Sequence, residues 1–136
     1  MTTFNIFDTC NTGRGDEVER FLDALCINRI ERPVNLFLFT RAEFMTFFTD
    51  AKPQLWNPVC RFQCKTRGVH YFDGTTHSIS IIMDTGWQAG LRHELVHCRQ
   101  AEKVGVILWT QLTDIYADDR NNDPFEIEAY LREREI

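Results

Sequence analysis

The sequence predicts a single α+β domain, and three observations carry that prediction. Strand-length segments that are apolar or alternating (TFNIF, VNLFLFT, VCRFQCKT, GVHYFDG and HSISIIM) fill the first part of the chain. Two helical patterns lie between these strands and three more finish the chain, so three of the strands run consecutively instead of alternating with helices. The 136 residues carry 43% hydrophobic side chains and 11 Phe, enough for one packed core. No repeat, low-complexity tract or linker divides them.

Each element has its own local signal. TFNIF leads into the turn NTGRG, and Asp16 with Glu19 has the spacing of a capping box for a helix to about Asn28. Val18, Phe21, Leu22 and Leu25 give that helix its apolar face. Arg14-Gly15-Asp16 matches an integrin-binding tripeptide, but a turn entering a helix accounts for it. VNLFLFT is apolar enough for a strand covered on both faces. RAEFMTFFTD reads as a short helix ended near Pro53 and Pro58. VCRFQCKT, GVHYFDG and HSISIIM follow as three strands with hairpin turns at TRG and DGTT. The last three helices are predicted over residues 87 to 104, 106 to 117, and from Pro124 onward. Gly105 is the expected C-cap of the first, and Leu108, Leu112 and Ile115 the inward face of the second.

Composition narrows the function. A net charge of −5 and a pI near 5.3 argue against binding nucleic acid through a basic surface. The N-terminus has no basic and apolar signal-peptide pattern, and no segment has transmembrane length, so a cytoplasmic setting without membrane contact is expected. The 5 Cys, at positions 10, 26, 60, 64 and 98, form an odd set without C-x-x-C spacing. Reduced, buried thiols are expected, with a Cys60–Cys64 pair as the alternative.

The chemistry is concentrated in LRHELVHCRQ, residues 91 to 100. His93, Glu94 and His97 have the spacing H-E-x-x-H. On a helix, His93 and His97 lie about 40° apart, one turn from each other, with Glu94 at the edge of the same face. Two imidazoles can then grip one Zn2+ ion. Zinc lowers the pKa of a water it binds to about 7, and Glu94 stands where it can take that proton as general base. Leu91, Leu95 and Cys98 supply the buried face beside the metal face.

Catalytic zinc takes three protein ligands, so one more is needed. The metzincin histidine is missing, because Gln100 and Lys103 occupy the Gly and final His positions of that pattern. Glu126 in DPFEIEAY is the favoured third ligand, although Asp123 as N-cap with Glu126 at N3 is also a capping box. Glu128 is the alternative, about 200° around the helix, so both cannot face one ion. Asp114, Asp118 and Asp119 stay open as further choices.

HELVHCRQ followed by PFEIEAY resembles the small gluzincin branch of the zincin metallopeptidases. The resemblance covers the C-terminal part of the chain and implies a zincin-like fold: a small mixed sheet with the HExxH helix packed on it and a C-terminal helical part. It maps the family's third ligand onto Glu126. It also implies that SISIIM, just before the metal helix, offers an edge to an extended substrate. The chain has no downstream His or Arg-containing motif to steady the oxyanion. Tyr116, Tyr130, His77 and Arg120 are the available candidates, and Tyr130 stands where relatives often carry Asp or Asn. His70 and His77 have the default reading of surface or cross-strand histidines on hairpin strands. Arg92 and Arg99 are expected to be solvated or paired with Glu102 or the last helix.

The function implied is a zinc-dependent metallopeptidase acting on an extended polypeptide substrate or protein partner. The alternative is a zincin-fold module that holds metal for structural or interaction purposes, with little or no turnover. The compact, unexported character would suit a phage or bacterial genome. Sequence leaves the oligomeric state open.

Overall fold

The computed structural model describes residues 1–48, 67–116 and 120–135. Four strands and five helices follow in chain order: β1 (Phe4–Phe7), α1 (Gly15–Leu25), β2 (Val34–Phe39), α2 (Arg41–Thr46), β3 (Gly68–Phe72), β4 (His77–Ile82), α3 (Trp87–Val104), α4 (Val106–Ile115) and α5 (Pro124–Arg132). Short 3₁₀ turns precede and follow α5. The strands form one mixed sheet in the order β1-β2-β4-β3. β1 and β4 run parallel to β2, and β3 pairs antiparallel with β4. The α+β class and the small mixed sheet thus agree with the sequence. VCRFQCKT, and with it Cys60 and Cys64, lies outside the described residues.

Side-chain alternation sorts the two faces of the sheet. Leu36 and Leu38 of β2 and Ile79 and Ile81 of β4 point to one side. There they pack on Val18 and Leu22 of α1 and on Leu91, Leu95 and Cys98 of α3. Phe39 and Ile82 face the other side, where Phe44 of α2 and Phe48 cover them. VNLFLF therefore is a strand enclosed on both faces, as its composition predicts. Among the described residues no helix is long and apolar enough to cross a membrane.

Several local expectations are corrected. The capping box at Asp16 and Glu19 does not form, because α1 begins a residue earlier and Arg14 holds the cap position without a capping side chain. Asp8 organises the preceding loop instead, accepting from Thr12 N (2.8 Å) and Gly13 N (2.9 Å). Asp16 sits inside the first turn, where its charge favours the helix N-terminus. The helix stops at Leu25 because Cys26 turns left-handed (φ 50°), and Cys26 is exposed, not buried. Gly105 (φ 88°) does end α3. Leu108 and Ile115 of α4, however, point outward, 45% and 68% exposed. Trp109 takes the inward face, packing on Phe72, Ala101 and Phe125 at the C-terminal end of α3. One large indole outweighs two aliphatic side chains in deciding which face is buried.

The segment SISIIM is not an edge of the sheet. β4 (SISII) lies between β2 and β3, so among the described residues the edge strands are β1 and β3, of which β3 is β4's neighbour. The DGTT turn forms as expected: Asp73 Oδ1 accepts from Thr75 N and Thr76 N (both 2.8 Å), with Gly74 at φ 96°. β3 runs alongside α3 and pairs with β4, and Gly68 is packed closely against both. A Cβ at Gly68 would meet Ser80 O at 2.9 Å, Ile81 Cδ1 at 3.0 Å and Glu94 Cγ at 3.3 Å. The first of these is backbone and cannot swing aside. Gly68→Ala is therefore expected to destabilise the fold by about 1–3 kcal/mol, measured by denaturant unfolding. A change within a few tenths of a kcal/mol would show that Gly68 is not packed against the Ser80 backbone as described.

Candidate metal centre

The α3 spacing puts His93, Glu94, His97 and Gln100 on the face turned away from the sheet centre, and all four are buried. The cover is α5. Asp123 caps that helix by accepting from Phe125 N (2.9 Å), and Pro124 opens it at its first turn. Asp123 therefore performs the cap predicted for it, while Glu126 turns inward. Its carboxylate reaches both histidines: Oε2 lies 3.1 Å from His93 Nε2, and Oε1 lies 2.9 Å from His97 Nε2. The position in the first turn of α5 also suits a negative charge.

The outer nitrogens of the two rings are held as well. Gln100 donates through its amide nitrogen to Phe125 O (3.0 Å) and to Glu128 Oε1 (2.9 Å). That fixes its amide oxygen toward His97 Nδ1, which donates to it at 2.7 Å. His93 Nδ1 donates to Glu133 Oε2 at 3.2 Å. With both Nδ1 atoms as donors, the neutral rings present lone pairs at Nε2. Two lone pairs and a carboxylate then converge, a set of acceptors that closes only around a cation. The residues present therefore fit a divalent, borderline-soft metal ion such as zinc, with outer partners of the kind that orient metal-binding imidazoles.

Burial alone pulls the His97 pKa down, but this is outweighed. The hydrogen bond to Glu126, the charges of Glu94 and Glu126, and the bond to Gln100 push it up to about 9. In metal-free protein a proton therefore takes the cation's place. A group whose pKa is raised from 6.5 to about 9 on folding contributes stability that is fully present below pH 6.5 and lost as pH rises through 9. Metal-free protein is thus expected to lose stability over that window, on the order of 3 kcal/mol. Thermal unfolding from pH 6 to pH 10 with chelator present checks this. A flat profile would contradict the His97–Glu126 pairing.

The remaining candidates are distributed around this centre. Glu94 offers an oxygen within 4.8 Å of the ligand atoms of His93 and His97. Glu128 is turned away, taken up by Gln100 and lying 3.7 Å from Arg132. Tyr130 lays its ring 4.5 Å from that of His93 and is 67% exposed at the rim. Tyr116 follows the end of α4, and Asp114 is exposed on that helix. Asp118, Asp119 and the Arg120 side chain lie outside the described residues.

His77 is fully buried, so of the two readings the surface one is corrected and the cross-strand one holds, His70 on β3 meeting His77 on β4. Its Nε2 donates to Glu102 Oε2 (2.7 Å), and its Nδ1 lies 2.9 Å from His70 Nε2. Burial lowers the pKa of both rings; the charges of His97 and His77 add to this at His70, whereas Glu102 partly offsets it at His77. Glu102 is thus bonded to a histidine, whereas the sequence offers it as an arginine partner. It also accepts from the backbone N–H groups of Glu31 (2.8 Å) and Arg32 (3.0 Å). The Arg92 guanidinium lies 5.4 Å over the Phe21 ring.

Sequence reading missed three participants. Gln100 had a usable signal, since it lies three residues after His97 on the same helix face. Glu102 has a similar helical relation to Cys98. Glu133 has none, because it arrives from the turn beyond α5. Comparison with known proteins finds no matching family model, no matching curated protein and no matching solved structure.

Proposed function

We propose that this chain is a zinc-dependent metallopeptidase that hydrolyses peptide bonds of an extended polypeptide. One observation carries the reading: the Glu126 carboxylate meets the Nε2 atoms of both His93 and His97 while their outer nitrogens are held by Glu133 and Gln100. His93, His97 and Glu126 would hold the ion. When bound, zinc supplies Lewis acidity toward a carbonyl and lowers the pKa of water.

The chain's own residues account for the proton movements. Glu94 takes a proton from the attacking water and returns it to the leaving amine. Its place beside the two histidines, against the bare Cα of Gly68, holds it close to the reacting atoms. Tyr130, at the rim beside His93, is the group best placed to donate to the developing oxyanion. The outer strand β3 offers main-chain groups to which an extended peptide can add as a further strand.

Hydrolysis of unstructured polypeptide is expected to stop on chelation and return with zinc. Zinc-loaded protein that cleaves nothing in a broad peptide pool would overturn the peptidase reading. A second reading is a closed metal module without turnover. It draws on the proximity of the Glu94 carboxylate to both histidines, which would let Glu94 complete a four-ligand set. In that case Glu94→Gln would weaken metal binding.

A further inference from the structure

We infer that His70, His77 and Cys98 form a second metal-binding group, with Glu102 as its outer carboxylate, that shares no residue with the His93–His97–Glu126 site. The three residues come from β3, the start of β4 and α3. Each offers a ligand atom, and these atoms all lie within 4.8 Å of one another. His77 and Cys98 are fully buried, and His70 is partly so.

The arrangement repeats the logic of the first site. A metal-binding imidazole commonly gives its other N–H to a carboxylate or carbonyl, which fixes the ring and leaves a lone pair for the ion. Glu102 does this for His77 at Nε2, and is itself pinned by the Glu31 and Arg32 amides. The His77 Nδ1 lone pair then faces His70. Hydrogen bonding within the cluster leaves one atom unaccounted for: His70 Nδ1 is shielded from solvent and has no hydrogen-bond partner among the described residues. A buried polar atom left this way costs about 1–3 kcal/mol, so polar contacts alone do not explain the cluster.

The donor set selects the class of ion. Two imidazoles and a thiolate suit zinc or cobalt and do not suit magnesium or calcium. Charge also divides sensibly between the two sites. Cys98 as thiolate and Glu102 offset a divalent ion here, while Glu94 and Glu126 do so beside His93 and His97. The His70 and His97 rings are 6.2 Å apart, so an ion at this group would tie β3 and β4 to α3 directly behind the first site.

The test is titration of metal-free full-length protein with zinc and with cobalt. Two equivalents are expected, and the cobalt form should show a thiolate charge-transfer band in the near ultraviolet. Cys98→Ala and His77→Gln should each reduce binding to one equivalent, and Cys98→Ala should abolish the band. Glu126→Ala should keep one equivalent and keep the band; that result with no second equivalent in the wild type would remove the first site and retain this one. A wild-type protein without the thiolate band overturns the proposal, whether or not any variant folds. So does a band lost in Glu126→Ala, which would place Cys98 in the first site.

Discussion

Glu126→Ala is expected to lower zinc affinity by more than about 100-fold, because loss of even an outer partner of a metal ligand costs about 10–100-fold. The carboxylate reaches Nε2 of both His93 and His97, at 3.1 Å and 2.9 Å. Without it two neutral imidazoles on one helix would hold the ion. The fold should survive, since Gln100 still fastens α5 to α3 through Phe125 O and Glu128. Glu128→Ala should cost far less, because among the described residues Glu128 bonds the Gln100 amide and lies 3.7 Å from Arg132 instead of facing the histidines. Competition titration against a chromogenic chelator measures both. If Glu128→Ala were the more damaging change, the assignment of the third ligand would be reversed.

The second large effect is expected at Glu94. Glu94→Gln keeps the size of a buried side chain and removes its charge together with its ability to take a proton. Hydrolysis should fall by about 10²–10⁴-fold, the usual contribution of a positioned acid–base group, with zinc content unchanged. Unaltered turnover would sink the role of Glu94 as base. Loss of zinc with loss of turnover would favour the closed four-ligand module.

The sequence made the centre legible to different depths. His93, Glu94 and His97 are visible because helical periodicity converts their spacing directly into a shared face. Glu126 required a choice, since a carboxylate at N3 of a capped helix serves equally well as a cap partner. Only the docking of α5 across α3 shows that Asp123 does the capping and Glu126 reaches the histidines. Glu133 was not legible, because its meeting with His93 depends on how the chain turns after α5. The burial of His77 was hidden for a related reason. A His beside a hairpin turn reads as exposed until α3 packs over that end of the sheet. The strand and helix types followed from pattern and caps, whereas the outward face of α4 followed from where Trp109 found cover.

The central claim is that one divalent metal ion is held by His93, His97 and Glu126 with Glu94 beside it. Crystals of the zinc-loaded chain, measured with anomalous scattering at the zinc edge, test it most directly. The account predicts an anomalous peak bounded by His93 Nε2, His97 Nε2 and the Glu126 carboxylate, whatever is found at the His70–His77–Cys98 group. Zinc-loaded crystals with no peak at that point, or with zinc bound through Glu128 in place of Glu126, would contradict it.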